Sequence, residues 1–372
     1  MLQKTAERAT AVGRDFRQHL TLFRGEGFAT EHGALLGSVE VAYETWGELN
    51  GDGSNGVLVL HALTGDSHAA GPANHAHPTP GWWDGLIGPG RAIDTDRYFV
   101  VCPNVLGGCR GTTGPASTAP DGLPYGSRFP FITIRDQVRV EHRFAEHLGI
   151  TRWEAIIGGS MGGMRALEWL VKYPEAAGKG ILLATAAAAT AEQVALSSLQ
   201  IRMIEGDPDF CGGDYLRHRR SPRHGLALAR QLAQISYRSP QEFEQRFGRR
   251  VDGDPVREGS LYAVESYLHH HGTKLVSRFD ANSYIRLSQA MNHHDAGRDR
   301  GGLEVALGSV RAEVTVAGIS TDRLYPLHQQ YEIASLLPGR PEVAVIDSPI
   351  GHDGFLVAID QVGKVIAGAL AG

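Results

Sequence analysis

The sequence predicts an α/β protein with a mainly parallel central sheet flanked by helices and a helical insertion that interrupts the sheet. Three observations carry this. Apolar runs without polar alternation, such as Gly56-Val57-Leu58-Val59-Leu60, read as strands buried on both faces. They alternate with helix-length patterns, which implies right-handed crossovers and parallel pairing. The rhythm stops at about Ala186 and resumes near Gly301, with only helical patterns between. The expected division is a catalytic core over residues 1–185 and 302–372 and a helical lid over 186–301, covering the carboxyl edge where open α/β sheets place their sites.

Taken in order, residues 1 to about 30 are polar and read as a loosely ordered lead-in. Val39 to Trp46 alternates by residue type and reads as a half-exposed strand. Asn50 to Gly56 is a turn cluster, and Gly56 to His61 is a buried strand running into the loop Ala62-Leu63-Thr64-Gly65-Asp66-Ser67-His68. Tyr98 to Pro103 is the next strand. A helix is expected over Arg135 to His147, a strand into Gly158, and a helix from Gly163 to about Tyr173, stopped by Pro174. Lys179 to Ala184 is a further strand. Inside the insertion, helices are expected at Ala191–Glu205, Gly225–Tyr237, Gly259–His271 and Asp280–Met291; strands return at Ala312–Gly318 and Pro341–Ile346.

Composition sets bounds on function. The 372 residues suffice for a substantial core, and 42% hydrophobic with 21% charged residues describes an ordinary globular chain. A net charge of −5 argues against a general nucleic-acid or anionic-membrane binder. No uncharged apolar run of about 18 residues and no signal-peptide core is seen, so a cytoplasmic protein is expected. Three cysteines (Cys102, Cys109, Cys211) give neither a disulfide framework nor zinc-site spacing. The histidine runs His269-His270-His271 and His293-His294 do not converge on one ion from a helix face, and no metal is expected.

The chemistry centres on Gly158-Gly159-Ser160-Met161-Gly162, at the end of an apolar strand and the start of a helix. Gly-x-Ser-x-Gly in that context is the nucleophile elbow of an α/β-hydrolase fold, whose tight turn requires near-absent side chains at Gly158 and Gly162. A serine needs a base, and the base an acid to orient it; in this fold the chain order is serine, acid, histidine. Asp322 falls just past one buried strand and His352 just past the next, on the same edge as Ser160, so Ser160, Asp322 and His352 are the expected triad. The oxyanion donors are expected to be the N–H of Met161, after the nucleophile, and of Leu63, after an earlier strand.

These segments, with Pro80-Gly81-Trp82-Trp83-Asp84, Asn104 to Gly111, Phe129 to Asp136, Asp322 to Pro326 and Gly351 to Leu356, resemble the homoserine O-acetyltransferases of the α/β-hydrolase superfamily. The resemblance runs from about residue 20 to the end. It implies a ping-pong transfer in which Ser160 takes an acetyl group from acetyl-CoA and passes it to the hydroxyl of L-homoserine, within methionine biosynthesis. It implies no tightly bound cofactor and a homodimer formed through the insertion. It also implies that Arg230 holds the amino-acid carboxylate and Asp353 its ammonium, pairings that suit a guanidinium and a carboxylate. Succinyl-CoA-using relatives carry an arginine where this chain has Leu324, which favours acetyl; Arg323 is adjacent, and its direction is not readable from sequence. L-serine as acceptor, succinyl-CoA as donor, and an acyl-CoA thioesterase or ester hydrolase with the same triad stay open, since one methylene is worth only about 1–3 kcal/mol.

Overall fold

In the computed structural model, the described residues are 17–74, 77–252, 259 and 261–372. An eight-stranded sheet organises the chain. Its strands are β1 (Gln18–Leu22), β2 (Val39–Trp46), β3 (Gly56–Leu60), β4 (Phe99–Pro103), β5 (Trp153–Gly159), β6 (Ala177–Leu183), β7 (Glu313–Ile319) and β8 (Val343–Ile346). The spatial order is β1-β2-β4-β3-β5-β6-β7-β8. Only β2 runs against its neighbours; β4 to β8 and β3 pair in parallel.

Both faces of the sheet are covered, which is why its central strands are apolar throughout. Leu58 and Leu60 of β3 point to one face, against Val138 and Phe144 of α1 (Ile134–Leu148) and Leu167 and Leu170 of α2 (Met161–Lys172). Val57 and Val59 point to the other, toward the cluster of Trp83, Leu86 and the C-terminal helix residues Val362, Ile366 and Leu370. Helix α1 starts at a capping box, Thr133 with Asp136, and ends at Gly149 in the left-handed region.

Between β6 and β7 the chain leaves the sheet for α3 (Ala191–Glu205), α4 (Arg223–Tyr237), α5 (Pro240–Arg246), α6 (Ala263–Val276), α7 (Ala281–Asn292) and α8 (Leu303–Gly308). Four of them, α3, α4, α6 and α7, seat an apolar underside on the sheet's carboxyl edge: Ile201, Ile204, Leu226, Leu275, Tyr284 and Leu287 share one cluster with Leu63, Met161, Met164 and Tyr325. After β7 come α9 (Leu327–Leu336), then β8, α10 (Gly354–Val357) and α11 (Ile359–Ala371). No described helix is long and apolar enough to cross a membrane.

Three sequence expectations change. The lead-in lies outside the described residues up to residue 16, but from Gln18 it is an edge strand paired antiparallel to β2, not loose chain. Its signal is weak because only Leu22 of β1 is fully buried. The helix expected at Gly259 begins at Ala263, after a two-residue strand Leu261–Tyr262 paired with Val251–Asp252. Helix α5 was not expected, although Ser239 caps it and Pro240 opens it, a common helix-start signal.

Candidate active site

Ser160 sits between β5 and α2 at φ 56°, ψ −123°, a conformation L-residues avoid. Two close approaches enforce the turn. A Cβ on Gly158 would lie 2.1 Å from the Gly162 carbonyl oxygen, and one on Gly162 would lie 2.0 Å from that of Leu60. The Ser160 N–H donates to the Leu183 carbonyl (3.0 Å), and Thr185 Oγ1 donates to the Ser160 carbonyl (2.9 Å). The strained residue is therefore tied at both its N–H and its carbonyl to the end of β6.

The loops after β7 and β8 bring Asp322 and His352 to it. His352 Nε2 lies 2.9 Å from Ser160 Oγ, and His352 Nδ1 lies 2.7 Å from Asp322 Oδ2. The other oxygen, Oδ1, accepts the N–H groups of Leu324 (2.8 Å) and Tyr325 (2.9 Å), so three donors fix the carboxylate in place. With Asp322 Oδ2 accepting from Nδ1–H, Nε2 is left to accept from the serine hydroxyl. All three residues are buried. The Tyr325 ring stacks on His352 at 4.9 Å, and Phe355 packs beside it. Gly351, at φ 91°, passes so close to the start of α5 that a Cβ would lie 2.6 Å from the Ser239 nitrogen.

Leu63 and Met161 both lie in the apolar cluster beneath the insertion, at the end of the β3 loop and the first turn of α2. The first N–H groups of a helix have no acceptor within it, which leaves the Met161 end of α2 electropositive. The Leu63 loop is clamped from two sides. Arg165 Nη2 donates to the His61 carbonyl (2.5 Å), and Arg278 Nη1 to the Thr64 carbonyl (2.8 Å). His61 itself accepts the Val105 N–H at Nε2 (3.1 Å). Burial first, then the Arg165 charge, push its pKa down to about 3, so it is a neutral structural ring.

Arg230 on α4 lies with its guanidinium 5.1 Å from the Tyr237 ring centroid, and Tyr237 is 5.9 Å from the His352 ring. One aromatic ring thus separates Arg230 from the base. Asp353 adjoins His352, but its Oδ2 is engaged by Arg238 Nε at 3.2 Å. Leu324 lines a narrow pocket with Leu63, Met164, Gln193 and Tyr325. Arg323 is exposed and faces a different groove, beside Phe243 and Phe247.

Sequence reasoning missed Tyr325, Tyr237 and the buried pair Arg165–Glu141 (2.5 Å). The readable signal for the pair was a charge on a helix turn otherwise wholly apolar. It also missed Glu44, His68 and His77, the described cluster whose ligand atoms lie within 4.8 Å of one another. The two rings stack at 3.8 Å and 7°, so their in-plane lone pairs run parallel instead of converging on an ion. Glu44 accepts from Ser67 Oγ (3.0 Å) and faces His68 Nδ1 at 2.9 Å, the pattern of a hydrogen-bonded buried carboxylate. Cys102 and Cys109 are made poor nucleophiles by burial, which raises both thiols, Cys109 to about 12.

An elbow serine, a histidine and an aspartate on the carboxyl edge of this sheet define an α/β-hydrolase, and the family model for the alpha/beta hydrolase fold matches residues 55–358. The homoserine O-acetyltransferase of Thermobifida fusca is 57% identical over 348 residues, 93% of this chain and 92% of that one. The crystal structure of homoserine O-acetyltransferase from Bacillus anthracis superposes with a TM-score of 0.88 at 31% identity, covering 96% and 97% of the two chains. The structure of esterase E22 is also similar, with a TM-score of 0.86 at 29% identity over 95% and 99%. The chain belongs to the homoserine O-acetyltransferase family of α/β-hydrolases.

Proposed function

We propose that this protein transfers the acetyl group of acetyl-CoA to the hydroxyl of L-homoserine, giving O-acetyl-L-homoserine and CoA. The observation that carries the reading is Ser160 Oγ held 2.9 Å from His352 Nε2, in a chain so close to named homoserine O-acetyltransferases. His352 takes the serine proton as Oγ attacks the thioester carbonyl. The N–H groups of Leu63 and Met161 receive the developing oxyanion, and collapse breaks the C–S bond with His352 returning its proton to the CoA sulfur. Asp322 keeps the imidazole in its tautomer and stabilises the imidazolium. Homoserine then enters, His352 takes its hydroxyl proton, and the new C–O bond forms as the Ser160 ester breaks and regains its proton.

In this reading Arg230 binds the homoserine carboxylate and Asp353 its ammonium, the latter taking over part of the charge that Arg238 balances in the free protein. Leu324 gives the acyl pocket an uncharged wall suited to acetyl. The segment 186–301 acts as a lid that keeps water from the acyl-serine. We place the reaction in the cytoplasm, within methionine biosynthesis, and assign a homodimer built on exposed apolar residues of the lid such as Leu199 and Ile235. No tightly bound cofactor or metal enters the scheme.

The likeness to an esterase favours one rival, hydrolysis of the same acyl-serine by water. Intact-mass spectrometry tests both. Incubation with acetyl-CoA alone should add one acetyl group, absent in Ser160→Ala, and the adduct should discharge faster with homoserine than with serine or water. Discharge as fast in buffer alone would make the protein a hydrolase.

A further inference from the structure

A second cavity, of about 600 Å³, is lined by the residues that follow Leu63. Thr64, Gly65 and Asp66 line it beside Arg110, and Lys274 and Arg278 line it from the end of α6 and just beyond. Nothing in the acyl-transfer scheme uses this space.

Its charge is out of proportion to the amino-acid substrate. Homoserine carries one carboxylate, which Arg230 alone can meet. Here three further cations face one cavity. Lys274 is exposed and has no carboxylate within 4.0 Å among the described residues, and the same holds for Arg278. Arg278 is largely buried, and burial, with Arg230 and Arg110 nearby, lowers its basicity. Cations crowded in this way repel one another and are relieved by an anion. Asp66 belongs to the lining too, 3.8 Å from Arg110 Nε and with its charge also acting on Arg278, so one carboxylate stands against three cations. The cations continue inward: Arg278 senses Arg230, which lies against Tyr237, which packs on His352.

We propose that this cavity binds the phosphates of the CoA thioester, with Lys274, Arg278 and Arg110 as counter-charges and the pantetheine arm passing Thr64 and Leu63 to reach Ser160. The inference rests on the acyl-CoA reading of the site. A diphosphate with a further phosphate monoester is the polyanion that three convergent cations suit, and guanidinium forks match its oxygens. The arrangement also explains why Arg278 does two things. It holds the Thr64 carbonyl with one nitrogen and also lines the cavity, so donor binding and the oxyanion loop share one side chain.

The test compares acetyl-CoA with acetyl-pantetheine, which presents the same thioester without phosphates, in the full-length protein and in Lys274→Glu. Arg278 is left intact because it positions the loop. Each lost charge contact of this kind changes affinity about tenfold. The ratio of KM for acetyl-CoA to KM for acetyl-pantetheine should therefore rise about tenfold or more in Lys274→Glu, and about half as far on a logarithmic scale in Lys274→Gln. Adenosine 3′,5′-bisphosphate should compete with acetyl-CoA in the wild type and do so about tenfold more weakly in Lys274→Glu. A ratio unchanged within twofold, or inhibition not competitive with acetyl-CoA, overturns the subsite while leaving acetyl transfer standing. A wild-type protein that acetylates homoserine from neither donor overturns the functional reading itself, and with it the subsite.

Discussion

Arg165 and His61 are joined by a buried hydrogen bond, guanidinium Nη2 to backbone carbonyl, at 2.5 Å. The bond ties the helix that begins at the nucleophile to the loop that carries Leu63. The opposite nitrogen meets Glu141 Oε1 at 2.5 Å, and Trp169 Nε1 donates to the other Glu141 oxygen at 2.8 Å. Ser160 and the Leu63 N–H are therefore held in register by a charged pair that touches neither substrate. Arg165→Met should cost about 3–5 kcal/mol of stability, because it leaves a buried carboxylate unpaired. It should also lower kcat by about 10²-fold, the usual scale for losing one oxyanion donor. Denaturation and steady-state kinetics on the same sample separate the two effects. A destabilised variant with wild-type kcat would show that the pair supports the fold only.

Arg230 and Tyr237 predict a split between half-reactions. The guanidinium lies 5.1 Å from the Tyr237 ring, which in turn lies 5.9 Å from the ring of the base. Arg230→Ala should form acetyl-Ser160 at close to the wild-type rate, since the first step does not need the acceptor. Its homoserine KM should rise about 10- to 100-fold, the loss expected for one or two charge-assisted hydrogen bonds. Rapid quench with labelled acetyl-CoA, followed by a homoserine titration, reads both. Equal slowing of the two steps would assign Arg230 to the framework of α4.

What was legible in the sequence follows from how local each signal is. The elbow could be read because its reason is steric and lies within five residues: Gly158 and Gly162 face backbone atoms at 2.1 and 2.0 Å. Asp322 and His352 could be placed because strand ends are visible as the limits of apolar runs. Tyr325 and Tyr237 were not legible, since their positions against His352 depend on how α4 and the β7 loop pack. The Arg165–Glu141 pair joins α2 to α1; the apolar turn around Arg165 hints at burial, but which carboxylate meets it depends on how the two helices pack. Strand β1 was missed because an edge strand with one fully buried residue lacks the pattern that identifies strands. The Asp353–Arg238 pair was missed for the opposite reason: a resemblance had already given Asp353 a substrate as its partner.

Leu324 and Arg323 separate cleanly in space, although adjacent in sequence. Leu324 lines the pocket beside Leu63 and Met164, whereas Arg323 faces the groove at Phe243. The cation next door is thus turned away from the acyl group. Leu324→Arg should raise kcat/KM for succinyl-CoA relative to acetyl-CoA by about tenfold or more, by offering the distal carboxylate a partner. Parallel assays with the two donors measure this, and an unchanged ratio would remove Leu324 from acyl selection.

Two buried histidines set how the protein responds to acid. Burial is the main cause that pushes His61 down to about 3 and His294 to about 4. An unfolded histidine titrates near 6.5. As pH falls below that value the unfolded chain takes up protons that the folded protein refuses until about pH 4 or lower. Stability from these residues is therefore complete above about pH 6.5 and is lost as pH falls, by up to about 1.4 kcal/mol per pH unit for each. Replacing one of them with a neutral side chain should flatten the profile by about one such increment. His294→Gln is the better choice, because His61 braces the oxyanion loop through Val105. Urea midpoints at pH 7, 6 and 5 for the wild type and His294→Gln should converge toward acid. Parallel profiles would mean that His294 takes up its proton over the same pH range in the folded protein as in the unfolded chain.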